Sequence, residues 1–181
     1  RLWQIKSAHE IFMIEDAACA LGSSYNGRMT GDWADISVFS HHPRKFITTG
    51  EGGTICTNNT LWADWMRSYK HFGMGKANSR ESTSFDRIGT NYKLSNVLAA
   101  IGLEQMEIVN LLLEKRRSLA AHYIELLSDF PGVSLPQTTP GGTHSWQTFC
   151  IFLGNRDQIM AGLRSQGIEA QIGTYSLHMH R

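Results

Sequence analysis

The sequence predicts an α/β fold followed by a smaller α+β unit, and three observations point to it. A compact apolar run at residues 11–14, without polar alternation, suits a strand covered on both faces, as in a parallel sheet. Both clear strand candidates, 11–14 and 36–40, end in polar segments: Glu15 and Asp16 after the first, the loop HHPRKFITTGEGG at 41–53 after the second. Helical stretches then follow in the middle of the chain, before short strand and helix signals resume near its end. With 181 residues, the chain can bury one core, or one core with a small satellite.

Taken in order, residues 2–9 can form a short helix leading into the first strand. The second strand, 36–40, is followed by its loop and by a third strand at 54–57. Asn58, Asn59 and Thr60 offer a cap for a helix at 61–69. Residues 71–90 are polar and without a clear period, long for a connection, which suggests a functional or partner-covered loop. Helices are expected at 95–110 and 111–128, the second with Leu112, Leu119, Tyr123 and Leu126 or Leu127 as its apolar stripe, stopped by Pro131 and Gly132. Beyond that come a short strand at 133–135, a strand at 148–153, a helix at 156–166 and a strand at 168–172. Asn155 with Gln158 resembles a capping box, and Gly167 supplies a stop. Residues 1–110 are thus expected in a larger domain and 111–181 in a smaller one. There is no internal repeat and no low-complexity tract. The opening on Arg1 and the ending just after a strand read as a piece cut from a longer protein.

Composition narrows the function classes. The net charge of +1 gives no basic footprint for a phosphate backbone, so nucleic acid is not expected as a partner. No apolar run approaches the roughly 20 residues that span a bilayer, so no membrane partner is expected. Cys19, Cys56 and Cys150 are an odd, widely spaced set without a CxxC pair, which fits a reducing compartment and a cytoplasmic location.

Three segments carry candidate chemistry: EDAACALGS at 15–23, SHHPRKFITTGEGG at 40–53, and GTNYKLSNVLAAIG at 89–102. Pyridoxal phosphate needs a lysine amine for its aldehyde, a carboxylate facing its pyridine nitrogen, and donors for its phosphate. Lys45 could supply the amine and afterwards move a proton as general acid and base. Asp16 could face the ring nitrogen and keep it protonated, because an adjacent negative charge favours the cation. Ser40 could donate to the phosphate, and Asn91 is a further neutral donor. Singly, each residue also has a plainer role: a turn aspartate, a solvated loop lysine, a flexible glycine turn. Spacing alone leaves both readings open.

Together these strings resemble the DegT/DnrJ/EryC1/StrS family of pyridoxal-phosphate-dependent sugar aminotransferases. The resemblance runs nearly continuously over residues 14–59, resumes at 89–105 and continues weakly at 167–178. It implies pyridoxal 5'-phosphate as cofactor, with Asp16 on the pyridine nitrogen, Ser40 on the phosphate and Lys45 on the aldehyde. Asn91 would reach the phosphate in the neighbouring subunit of a homodimer with shared active sites. The fold implied is the aspartate-aminotransferase type, fold type I, a three-layer α/β/α large domain, here partial, with a smaller carboxy-terminal domain. The activity implied is transfer of an amino group from an amino acid, glutamate by expectation, to a keto sugar linked to a nucleotide. Such chemistry serves amino-sugar biosynthesis for surface polysaccharide, lipopolysaccharide included, or for antibiotics. Cys19 departs from the pattern, standing where the family usually has Gln or His, and is a candidate contact to the ring. His41 occupies a place where an aromatic residue is common. Tyr175 and His178 fall in what resembles the substrate edge. The family segment that supplies a phosphate-binding turn and a ring-stacking aromatic would lie before Arg1.

Alternatives come from different classes. A sugar dehydratase of the same family would replace the lysine with histidine, so Lys45 favours the aminotransferase. A catalytically silent binding or regulatory module on the same fold would lack cofactor absorbance. A metal site at His41-His42 or His178 with His180 lacks the spacing of closed zinc sites and any HExxH helix. A serine hydrolase lacks the GxSxG elbow.

Overall fold

The computed structural model describes residues 2–77 and 79–179. His180, one half of the weighed His178/His180 pair, lies outside the described residues, as do Arg1, Asn78 and Arg181.

Helix α1 (Leu2–His9) leads into strand β1 (Ile14–Asp16), a hairpin of β2 (Ser24–Tyr25) and β3 (Arg28–Met29), and strands β4 (Ile36–Ser40) and β5 (Gly53–Cys56). Helices α2 (Thr60–Tyr69), α3 (Asn96–Glu107) and α4 (Val109–Leu127) follow. Then come β6 (Val133–Ser134), β7 (Gly142–Thr143), β8 (Phe152–Leu153), helix α5 (Arg156–Ser165) and a 3-10 turn at Leu177–Met179. β1 pairs in parallel with β4, Asp16 opposite Val38, so both strands deliver their ends to the same edge. β5 folds back antiparallel on β4, with Ser40 opposite Gly53. A loop that returns directly beside its own strand needs no crossover and imposes that antiparallel sense.

The first strand differs from expectation. It begins at Ile14, not Ile11, so Asp16 is its last residue instead of lying beyond it. It is also not covered on both faces: Phe12 is 76 % and Ile14 69 % exposed. Met13 is fixed instead by the Asp35 carboxylate, which accepts its amide at 2.8 Å. An open cavity of about 350 Å³ lined by Phe12, Ile14, Trp62 and Trp65 lies against this strand.

Caps set several helix starts. Asn59 accepts from the Trp62 amide at 3.1 Å and Ser95 from the Leu98 amide at 3.3 Å, each satisfying an otherwise orphan donor. The proposed capping box at Asn155 and Gln158 does not form; Asn155 makes no side-chain cap bond. On α4 most of the expected stripe is turned outward: Leu112 packs on the core, but Leu119, Tyr123 and Leu126 are exposed, and Leu113 and Ala120 are buried instead. The buried face is the one that meets Phe46 and Ile47, which form the core with Leu113, flanked by Leu21, Val109 and Leu112. The strand expected at 148–153 shrinks to β8, and 168–172 is not a strand, since β6 is the only partner β8 pairs with among the described residues. The carbonyl of Ala170 is taken by the Arg164 guanidinium.

The polar stretch 71–90 is self-paired. Phe72 and Thr90 join through Phe72 N and Thr90 O at 3.0 Å, and Gly75 N donates to Ser84 O at 2.9 Å. Isolated bridges join His71 to Asn91 and Met74 to Phe85. Two-residue β2 and β3 turn at Asn26 and Gly27, both in the left-handed region (φ 47 and 76), and β7 pairs with β2 from the far part of the chain. Among the described residues no single helix is long and apolar enough to cross a membrane.

Candidate active site

Parallel pairing of β1 with β4 makes the site. Alternation along β1 sends its two acids to opposite sides. Glu15 turns to the sheet's interior, where its Oε2 accepts from the Gly31 amide and the fully buried Ser37 hydroxyl, both at 2.8 Å. Asp16 faces solvent, and its Oδ1 accepts the Ala18 amide at 3.1 Å. Beyond it the chain winds through successive turns, Ala17 N donating to Val38 O at 2.9 Å and Ala20 N to Ala17 O at 3.0 Å. These turns carry Cys19 outward.

From β4 the chain turns through Pro43, with Lys45 N donating to His42 O at 2.8 Å. Phe46 and Ile47 then plunge into the core, which fixes the backbone on one side of Lys45. Its half-buried side chain crosses to the neighbouring loop, where Nζ donates to Cys19 Sγ at 2.8 Å. Thus Lys45 and Cys19, 26 residues apart, meet three residues after Asp16. Ser40 closes β4 on the same edge, its hydroxyl accepting the His42 amide at 3.3 Å. Gln105 of α3 holds the far side of the loop, accepting from the Thr48 amide at 3.0 Å and donating to the Thr48 carbonyl.

The structure therefore groups Asp16, Cys19, Ser40 and Lys45 along one strand edge. It does not group Asn91 with them: Asn91 sits in the bridge to His71, with its side chain exposed. His178 is exposed on the terminal 3-10 turn. His41 is buried; its Nε2 shares a 2.7 Å hydrogen bond with Thr54 Oγ1, its Nδ1 has no partner among the described residues, and burial pushes its ring below the ordinary imidazole range. A cavity of about 780 Å³ between β5 and α2 has none of these groups in its lining. Gln105 was within reach of sequence reading, inside a matched segment; the clamp it forms was not.

The residues present fit pyridoxal phosphate. An amine reaches an open edge, a carboxylate with one oxygen unpartnered among the described residues stands on the neighbouring strand, and a hydroxyl ends the strand between. All three cysteines are free thiols.

Comparison with known proteins identifies the family and the fold. Residues 1–181 match the model of the DegT/DnrJ/EryC1/StrS aminotransferase family. A GDP-perosamine synthase from Caulobacter vibrioides is 34% identical over 182 residues, covering 97% of this chain and 48% of that protein. The Helicobacter pylori aminotransferase PseC, involved in pseudoaminic acid biosynthesis, superposes with a TM-score of 0.90 at 27% identity, over 99% of this chain and 49% of the other. Streptomyces venezuelae DesV, solved with a ketimine intermediate, gives a TM-score of 0.84 at 29% identity, over 93% and 44%. The chain spans about half the length of the relatives it matches. These likenesses bear out the expected fold class, and the chain belongs to the DegT/DnrJ/EryC1/StrS aminotransferase family.

Proposed function

We propose that the protein of which this chain forms a part is a pyridoxal-phosphate-dependent aminotransferase that moves an amino group from an amino acid to a nucleotide-linked keto sugar. The observation that carries the reading is the approach of Lys45 Nζ to the loop that follows Asp16, from the end of the adjacent parallel strand. When bound, the cofactor supplies an electron sink for proton removal at the carbon bearing the amine. Lys45 would hold the group at its aldehyde and would serve as general acid and base at the substrate carbon that bears the amine. Asp16 would face the ring nitrogen and favour its protonated form. Ser40 would donate its hydroxyl to the phosphate, and the Cys19 thiol, which accepts from Lys45 Nζ, would orient that amine and serve as a contact to the ring.

In this reading residues 1–110 belong to the cofactor-binding domain and 111–181 to the small domain. The exposed position of Asn91, apart from the Lys45 edge, supports a role toward the phosphate of a neighbouring subunit's site in a homodimer. A relative named GDP-perosamine synthase and an aminotransferase involved in the biosynthesis of pseudoaminic acid support a nucleotide-linked sugar as acceptor. Glutamate as the donor follows from the family resemblance alone, and a cytoplasmic location from the odd, widely spaced cysteines.

The test is chemical. Full-length protein is incubated with pyridoxal phosphate, reduced with borohydride and digested, and the labelled peptide is expected to be the one containing Lys45. Label on any other lysine rejects the assignment. Asp16→Asn should keep the label and lose most of the transamination rate.

A further inference from the structure

We infer that residues 144–147 form a strap that fixes the two loops of the site against one another, with Gln147 as a positioning residue for Lys45. The strap lies about a hundred residues from both loops in sequence, yet it is hydrogen-bonded to each. On the Asp16 side, the Ser145 amide donates to Ser23 Oγ at 3.1 Å, and the two serine hydroxyls meet at 3.0 Å. Ser145 is 1% exposed, so its side of this junction is buried. Ser23 ends the turns that carry Cys19. On the Lys45 side, Gln147 Nε2 donates to the carbonyl of Arg44.

Between these two anchors the backbone must reverse within a single residue. Trp146 does so in the left-handed region, φ 54, a conformation that costs a non-glycine residue energy and persists only where its surroundings impose it. Two groups impose it here. His144 Nδ1 accepts the Trp146 amide at 2.7 Å while its ring stacks on the indole, and Arg116 Nη1 donates to the carbonyls of Trp146 and Gln147 at 3.0 and 3.3 Å. The Arg116 guanidinium also lies over the Phe46 ring, 5.2 Å from its centroid. Both chain neighbours of Lys45 are therefore held from the strap and its brace, Arg44 by its carbonyl and Phe46 by its ring. The reach of Lys45 to Cys19 is the geometric result. A site of this kind depends on placement to within about 0.5 Å, which single loops do not supply unaided.

The consequence for catalysis rests on the proposed role of Lys45, whereas the strap itself can be read without cofactor. Cofactor-free full-length protein is trace-labelled with acetic anhydride, and acetylation of Lys45 is compared by mass spectrometry with that of Lys70 and Lys76. Gln147→Leu and Gln147→Glu each remove the donor to Arg44. Both are expected to raise Lys45 acetylation relative to the two reference lysines about fivefold, the change that loss of one hydrogen bond makes between held and released loops. Arg116→Met, which removes the brace and leaves the Gln147 side chain in place, is expected to do the same. An unchanged ratio in these variants overturns the inference, and so does an equal rise at all three lysines, which marks general loosening. Borohydride labelling of the same variants with pyridoxal phosphate separates the two ideas. Label absent from Lys45 in the unsubstituted protein defeats the functional reading alone, while the acetylation ratio still decides the strap.

Discussion

At the scale of single residues, the sequence shows two adjacent acids and the structure gives them unrelated duties. Glu15 satisfies the Gly31 amide and the buried Ser37 hydroxyl, so its role is structural. Glu15→Leu leaves both donors without this acceptor; a cost of about 1–3 kcal/mol is expected in denaturant unfolding, with Lys45 labelling retained. Asp16→Asn reverses the pattern, leaving stability near that of the parent. Strand alternation made this division legible from the position of the strand end, but the strand start was misplaced because residues 11–13 are apolar without being paired. His41 supplies a pH dependence. Its ring is held neutral by burial, below its ordinary value of 6.5, so the unfolded chain binds the extra proton first. Stability is then full above pH 6.5 and falls as the pH drops below it. The thermal midpoint should decline between pH 7 and pH 5, and His41→Asn should flatten part of that decline. The slope does not vanish entirely, because burial also lowers the ring of His144.

At the scale of elements, local signals were readable where local chemistry decides. β4, the Asn59 cap and the two-helix stretch all follow from side chains near them in sequence. The Asn26-Gly27 hairpin had its signal as well, since two left-handed residues between short strands are what such a turn needs. The buried face of α4 had none, because Leu113 is selected by Phe46 and Ile47, more than sixty residues earlier. The strap was equally hidden: Trp146 makes a left-handed turn without glycine or asparagine. The 71–90 arm is set by a close approach. A Cβ on Gly73, at φ +78, would lie 1.8 Å from the Arg87 carbonyl oxygen, whereas one on Gly50, at φ +82, would meet nothing within 4 Å. Gly73→Ala is therefore expected to cost about 2 kcal/mol or more beyond Gly50→Ala, which carries backbone strain alone. Urea unfolding of the two variants side by side measures the difference.

At the scale of the whole molecule, surface area makes the final argument. The chain exposes 13933 Å². A folded monomer of its 20.3 kDa mass exposes about 8,800 Å². The surplus of about 5,000 Å² is too large for a transient contact and is of the size that obligate assemblies cover. It is also apolar in kind: Phe12, Ile14, Leu61 and Ile88 are 76, 69, 77 and 95 % exposed, and among the described residues the sheet of β1, β4 and β5 has open edges at β1 and β5. Sequence reading assigned the fold class correctly but expected the first strand to be covered, because a run of four apolar residues states that something covers it and not what. Expressed alone, the 181-residue chain should bind an apolar dye such as anilinonaphthalene sulfonate, elute as associated species and unfold over a broad range of urea. A monomer that leaves the dye dark and unfolds sharply would mean that the exposed faces tolerate water, and that neither another stretch of polypeptide nor a second copy is needed to hold the β1 edge in place.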